Sequence, residues 1–212
     1  MHIRSLFDIS LAEMNPVELD LSNANERLEG LDLSNRSVFE QFIQGEIDLQ
    51  KGGCGIGGYL ENRIVYRRSS HYESGESIRC IHLGIDIWVE AGTNIYAPLD
   101  GKIHSVAINP AYGDYGGTII LEHEIESKVV FSLYGHLSHA SLSRWKTGDT
   151  IRRGSSLAEI GSWDENGNWP PHLHIQFIRD LQGKTGDYPG VCSLEDLEFY
   201  ESNCIDPMIY IV

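Results

Sequence analysis

Histidine changes charge near neutral pH, and its neutral ring nitrogen is a common metal ligand. The chain has nine histidines, and a few of them have spacing that suggests a site. In His172-Leu173-His174 an extended backbone sends residues i and i+2 to the same side. Both imidazoles then face one cleft while Leu173 faces the core. The run continues Ile175-Gln176-Phe177, so His172, His174 and Gln176 form its polar face. In His82-Leu83-Gly84-Ile85-Asp86 an imidazole and a carboxylate stand four residues apart. Fully extended, their Cα atoms would be roughly 13 Å apart, near the limit for sharing one ion. Gly84 at the midpoint lets the chain bend and shorten that span. His136 follows Tyr134-Gly135 as a third element.

Imidazole nitrogen and carboxylate oxygen both ligate zinc, and a catalytic zinc takes three protein ligands and keeps a position for water. His82, Asp86 and one of His172 and His174 supply such a set, and the spacing leaves open which of the two it is. The other, with His136 as a neighbour, is then placed to take a proton as general base or to stabilise an oxyanion. The chemistry indicated is metal-assisted hydrolysis. With ordinary histidines, activity is expected to fall below about pH 6.

The elements that must position these residues read mostly as short strands. Candidates are 62–67, 85–89, 101–108, 117–123, 128–134, 156–160 and 173–178, separated by turn signals such as Ala91-Gly92-Thr93, Gly148-Asp149 and Asp164–Asn168. Successive strands have no helix between them, which argues against a parallel βαβ sheet and for antiparallel sheets or a barrel-like sandwich. Residues 37–50 place Val38, Phe39, Phe42, Ile43, Ile47 and Leu49 roughly at helical spacing and predict an amphipathic helix. The polar residues 1–35 read as an irregular or helical extension. The glycine run 52–58 reads as a flexible connection, since no GK[ST] follows to make it a phosphate loop.

Composition bounds the function. The 212 residues include 41% hydrophobic and 22% charged side chains, an ordinary globular mixture that excludes a wholly disordered chain. The formal charge of −15 argues against nucleic acid as the main partner. No apolar run reaches the length of a membrane span, so no membrane partner is expected. No basic-then-apolar leader is visible at Met1–Asp8, which gives a cytoplasmic expectation, or an exported one if a leader was trimmed. The four cysteines at 54, 80, 192 and 204 form no CxxC pair and read as reduced thiols; a Cys192–Cys204 bridge is possible but unsupported. His104 and His123 read as surface or structural residues, and His71 and His139 as ambiguous. Arg63 reads as a structural residue or a substrate contact. Trp163 and Trp169 read as cleft wall or core.

These motifs resemble peptidase family M23, the lysostaphin-like zinc metallopeptidases. The resemblance rests on HLGID at 82–86, YGHLS at 134–138 and PHLHIQF at 171–177. It extends to AGTNIYAP at 91–98 with DGKI at 100–103, KTGDTI at 146–151 and IDP at 205–207. It implies a domain over 59–212 preceded by an extension over 1–58. The implied fold is mainly β, with antiparallel sheets related to the barrel-sandwich hybrid (a duplicated hybrid motif). It further implies that His82, Asp86 and His174 bind Zn2+, that His136 and His172 are catalytic, and that the substrate is a peptide or amide bond, with peptidoglycan peptides as the family default. The stretches GGYLENR at 57–63, NWPP at 168–171 and GDYPGV at 186–191 resemble more narrowly the M23-like domains fused to phosphotransferase and aminotransferase domains. Two alternatives stand beside the peptidase: a metal-dependent amidase acting on a small intracellular molecule, and a non-catalytic metal-binding regulatory module. Oligomeric state is not readable from the sequence.

Overall fold

The computed structural model describes residues 5–68, 73–74 and 77–211; His2 and His71 lie outside them. The fold is mainly β, as expected. The strands used below are β1 (Pro16–Leu19), β2 (Cys54–Gly57), β3 (Ile81–His82), β4 (Ile85–Trp88), β5 (Gly101–Asn109), β6 (Gly116–Ile125), β7 (Lys128–Leu137), β8 (Thr150–Ile151), β9 (Leu173–Ile178), β10 (Val191–Cys192) and β11 (Cys204–Ile205). A large sheet runs β1-β2-β4-β9-β7-β6-β5-β8, with β11 added against β9. Its pairings are antiparallel except β1 with β2. The isoleucine- and leucine-rich strands bury Ile87, Ile103, Ile119, Leu121, Ile175 and Phe177 in one core, the expected outcome for β-branched and aromatic residues on a covered sheet.

The predicted helix is present as α1 (Arg36–Leu49). The Asn35 side chain caps it by accepting from the Val38 N–H. Phe39, Ile43 and Ile47, spaced four apart, bury one face against Val17 and Leu19 of β1. Three readings of local structure change. Residues 1–35 contain strand β1, and Leu6, Phe7 and Leu11 enter the core of the main sheet. The glycine run contains strand β2 rather than a flexible connection. Its glycines permit close packing: a Cβ at Gly57 would lie 2.5 Å from Arg63 Nη2 and 2.7 Å from the Trp88 ring. Residues 62–67 form two isolated bridges and a 3-10 turn over Val65–Arg68. Val65 and Tyr66 are adjacent and both buried, which a helical turn allows and an alternating strand does not.

Candidate metal centre

The site is assembled by register. In the β4–β9 pair His174 lies directly opposite Asp86, so their side chains project from the same face at contact distance. His174 Nδ1 is 2.9 Å from Asp86 Oδ1. His82 arrives from β3, which pairs with β10 through His82 opposite Val191. Its Nε2 lies 3.0 Å from His174 Nδ1 and 3.2 Å from Asp86 Oδ1. Gly84 serves more as a close approach than as a hinge. A Cβ there would lie 2.5 Å from the Ile175 carbonyl and 2.8 Å from His174 Nε2.

The donor chemistry fits a divalent metal. His82 Nδ1 lies 2.9 Å from the Gly58 carbonyl, to which it donates. His174 Nε2 is 3.2 Å from Gln176 Oε1. Gln176 is held in that orientation because its amide N–H groups donate to the Pro189 carbonyl and Cys204 Sγ. With these outer nitrogens acting as donors, His82 Nε2 and His174 Nδ1 present lone pairs to each other and to a carboxylate oxygen. Three acceptors converging in a buried space, all within 4.8 Å of one another, can hold a cation between them. The second carboxylate oxygen of Asp86 accepts from Arg63 Nη1, and Arg63 Nε donates to Glu61 Oε2 at 2.6 Å. Burial opposes ionisation of Asp86, but His82 and Arg63 beside it hold the carboxyl well below its usual range.

Two further histidines face this cluster. His172 Nδ1 donates to the Pro170 carbonyl at 2.7 Å. Its Nε2 lies 3.8 Å from Asp86 Oδ1, and its ring stacks on Trp88. His136 sits at a β7 irregularity with φ +64°, a backbone conformation rare for a residue with a Cβ. That local distortion is held by His136 N–H donating to the Tyr115 carbonyl and by Gly161 N–H donating to the His136 carbonyl, both at 2.8 Å. His136 Nδ1 donates to the Asn166 carbonyl at 2.8 Å. The His136 and His172 ring centres are 4.1 Å apart. Both rings thus have one nitrogen fixed as donor and Nε2 left open. Burial pushes His172 down to about 4, and burial together with His172 pushes His136 well below its ordinary value. Both are therefore neutral at pH 7, and the ordinary value near 6.5 assumed from the sequence does not apply.

A cleft of about 130 Å³ opens over these residues. Its walls include Leu21 from the segment after β1, Phe39 of α1, and Tyr66, Tyr115, Trp169 and Val191. Trp169 is therefore cleft wall, whereas Trp163 packs beneath Arg36, 4.7 Å from the guanidinium. Arg63 touches Asp86 and Glu61 and supports the cluster. His104 bonds Ser105, and His123 is buried between the Asp100 carbonyl and Ser132. Neither His104, His123 nor His139 lines the cleft. The four cysteines are free. Sequence reasoning missed Asn166, whose side chain ties the 163–169 loop by bonding both N–H and carbonyl of Trp169. It also missed Glu61, which accepts from the Leu21 N–H at 2.9 Å. Neither position carries a pattern that marks it.

Residues 80–187 match the model of peptidase family M23. An uncharacterised metalloprotease of Haemophilus influenzae is 33% identical over 115 residues, which are 53% of this chain and 22% of that protein. The chain therefore spans well under two thirds of that relative. Among solved structures, a zinc-containing peptidase from Vibrio cholerae is 28% identical, with 46% of this chain and 27% of the other covered and a TM-score of 0.38. The catalytic domain of lysostaphin from Staphylococcus simulans is 23% identical, with 62% and 80% covered and a TM-score of 0.39.

Proposed function

The chain belongs to peptidase family M23, and on that footing we propose that it is a zinc-dependent hydrolase of peptide or amide bonds. His82, Asp86 and His174 would hold the ion. The observation that carries this reading is the convergence of His82 Nε2, Asp86 Oδ1 and His174 Nδ1 beside two buried neutral histidines. When bound, zinc supplies Lewis acidity toward a carbonyl oxygen and acidification of water. Everything else falls to the chain. His172 and His136 present open Nε2 atoms to the cleft, and one of them takes the proton of the attacking water. The N–H so formed donates to the developing oxyanion or to the leaving nitrogen. The Pro170 and Asn166 carbonyls fix the two rings in the tautomer this requires. Trp88 and Trp169 shield them from bulk water.

Peptidoglycan peptides are the substrate implied by family membership. A small amide is the second reading, and the charge of −15 favours it, because an anionic wall would repel this chain. Support for a branch-specific substrate comes from the stretches resembling the fused phosphotransferase and aminotransferase proteins. Arg63, Trp169 and Val191 of these stretches line the cleft, and the Gly58 and Pro170 carbonyls accept from His82 and His172. The test is a panel of glycyl peptides, D-amino-acid peptides and N-acyl amides offered to zinc-loaded protein, chelated protein and the His172→Ala variant. Cleavage by the first alone supports the reading. No cleavage of any member by folded, zinc-loaded protein contradicts it.

A further inference from the structure

We infer that Cys204 is a positioning residue of the metal centre: resting on the ligand set proposed above, it holds the Gln176 amide that in turn holds the His174 ring. Cys204 lies beyond residues 80–187, those matched to the family. The C-terminal segment of the chain thus takes part in binding the ion.

Strand pairing brings the three residues together. Gln176 follows His174 by two residues on β9, so the two side chains share a face of the sheet. Strand β7 takes one edge of β9, and β4 and β11 share the other. On that shared edge β4 sets Asp86 opposite His174, while β11 sets Cys204 opposite Ile178. Cys204 is therefore the diagonal neighbour of Gln176 and projects from the same face.

The contacts follow from this register. Gln176 Nε2 lies 3.2 Å from the Pro189 carbonyl and 3.2 Å from Cys204 Sγ, and Oε1 lies 3.2 Å from His174 Nε2. The Pro189 carbonyl can only accept, which orients the amide: its N–H groups face Pro189 and Cys204, and its oxygen faces the histidine. Gln176 is 0% exposed, and His174 and Cys204 are each 3% exposed. Water cannot replace a lost partner there. Removing the sulfur leaves one amide N–H unpaired and the amide free to turn. The thiol suits the part of a neutral acceptor, because burial pushes it up to about 12 and keeps it protonated.

Cys204 is itself held in place. Its carbonyl accepts from the Tyr59 hydroxyl at 2.8 Å. Asn203, which ends the helix Leu197–Asn203, donates to the Asp180 carbonyl at 2.8 Å and to the Tyr188 hydroxyl at 2.6 Å.

Zinc affinity of the whole chain, measured by competition with a chromophoric chelator, tests this without turnover. Gln176→Ala should weaken binding about 10- to 100-fold, as outer partners of ligating histidines do. Cys204→Ala should weaken it about 3- to 10-fold, the size of one modest hydrogen bond. Cys204→Ser keeps an acceptor and should recover most of that loss. Cys204→Val fills the space without an acceptor and should not. Because Cys204 acts through Gln176, adding Cys204→Ala to Gln176→Ala should cost nothing further. Equal affinity in the parent and Cys204→Ala, full recovery in Cys204→Val, or additive losses in the double variant overturns the inference and leaves the ligand set standing. Should Cys204→Ala fail to fold, the serine and valine variants decide between the two outcomes. A His174→Ala protein that binds zinc as tightly as the parent overturns the ligand set, and the role of Cys204 with it.

Discussion

His174 and Asp86 are direct partners across the β4–β9 pair, and their facing atoms lie 2.9 Å apart. A one-residue slip in that pairing would turn His174 to the opposite face of the sheet. The centre therefore depends on the register of two central strands, and those strands are fixed by core residues on either side, Ile87 and Leu173 among them.

Ligand and proton-handling roles separate by mutation. His174→Ala should lose both metal and activity. His172→Ala should keep the metal and lose activity by 10²- to 10⁴-fold, the usual range for a general acid or base. Metal content by mass spectrometry beside kcat/KM distinguishes them. A His172→Ala protein without metal would place His172 among the ligands.

Asn166 holds His136 through its backbone carbonyl, and its side chain shapes the loop that presents that carbonyl. Asn166→Ala should leave metal content unchanged and lower kcat by 10- to 100-fold, with KM nearly constant, as for outer partners of functional side chains. Recovery in Asn166→Asp, which keeps the acceptor for Trp169 N–H, would confirm the loop as the intermediary. A KM effect alone would assign Asn166 to substrate contact.

The pH dependence follows from burial. His172 is pushed down to about 4, and His136 well below its ordinary value. The neutral rings are the ones that accept a proton, so kcat/KM should stay level from pH 7 to pH 6 and fall only toward pH 4 to 5. In the metal-free chain the unfolded state binds more protons than the native state below about pH 6.5. Native stability is therefore greatest above that value and declines as pH falls toward 4. Thermal melts between pH 7 and 4.5 read the decline directly. An acid limb in kcat/KM centred near 6.5 would contradict the buried, neutral pair.

Arg63 is the buried cation behind Asp86. Arg63→Met removes one partner of a buried ion pair, a change that costs about 3–5 kcal/mol where the remaining charge is uncompensated. Metal-free Arg63→Met should melt well below the parent, and added zinc should recover part of the loss by binding the native state. An unchanged melting temperature would show that Asp86 does not depend on Arg63.

Much of the centre was legible because its residues lie at fixed short spacings. The i, i+2 alternation of His172 and His174 and the His82-to-Asp86 interval survive as geometry, and the long alternating strands announced themselves by composition. What was not legible depends on distant partners. Residues 62–67 alternate like a strand, yet Tyr66 and Arg63 turn inward to Asp86 and the cleft. The 52–58 glycines look flexible until Trp88 and Arg63 are seen packed on Gly57. Leu21 and Phe39 are unremarkable apolar residues until the sheet brings them behind Trp169. The pKa depression of His172 and His136 comes from burial, which no local pattern encodes.

In the proposed function His82, Asp86 and His174 together hold a zinc ion. Anomalous-difference maps from crystals measured on either side of the zinc absorption edge test it directly. One peak is expected, contacting His82 Nε2, Asp86 Oδ1 and His174 Nδ1 and disappearing after chelation. No peak at that position in crystals grown with zinc, or a peak held by other side chains, would contradict it.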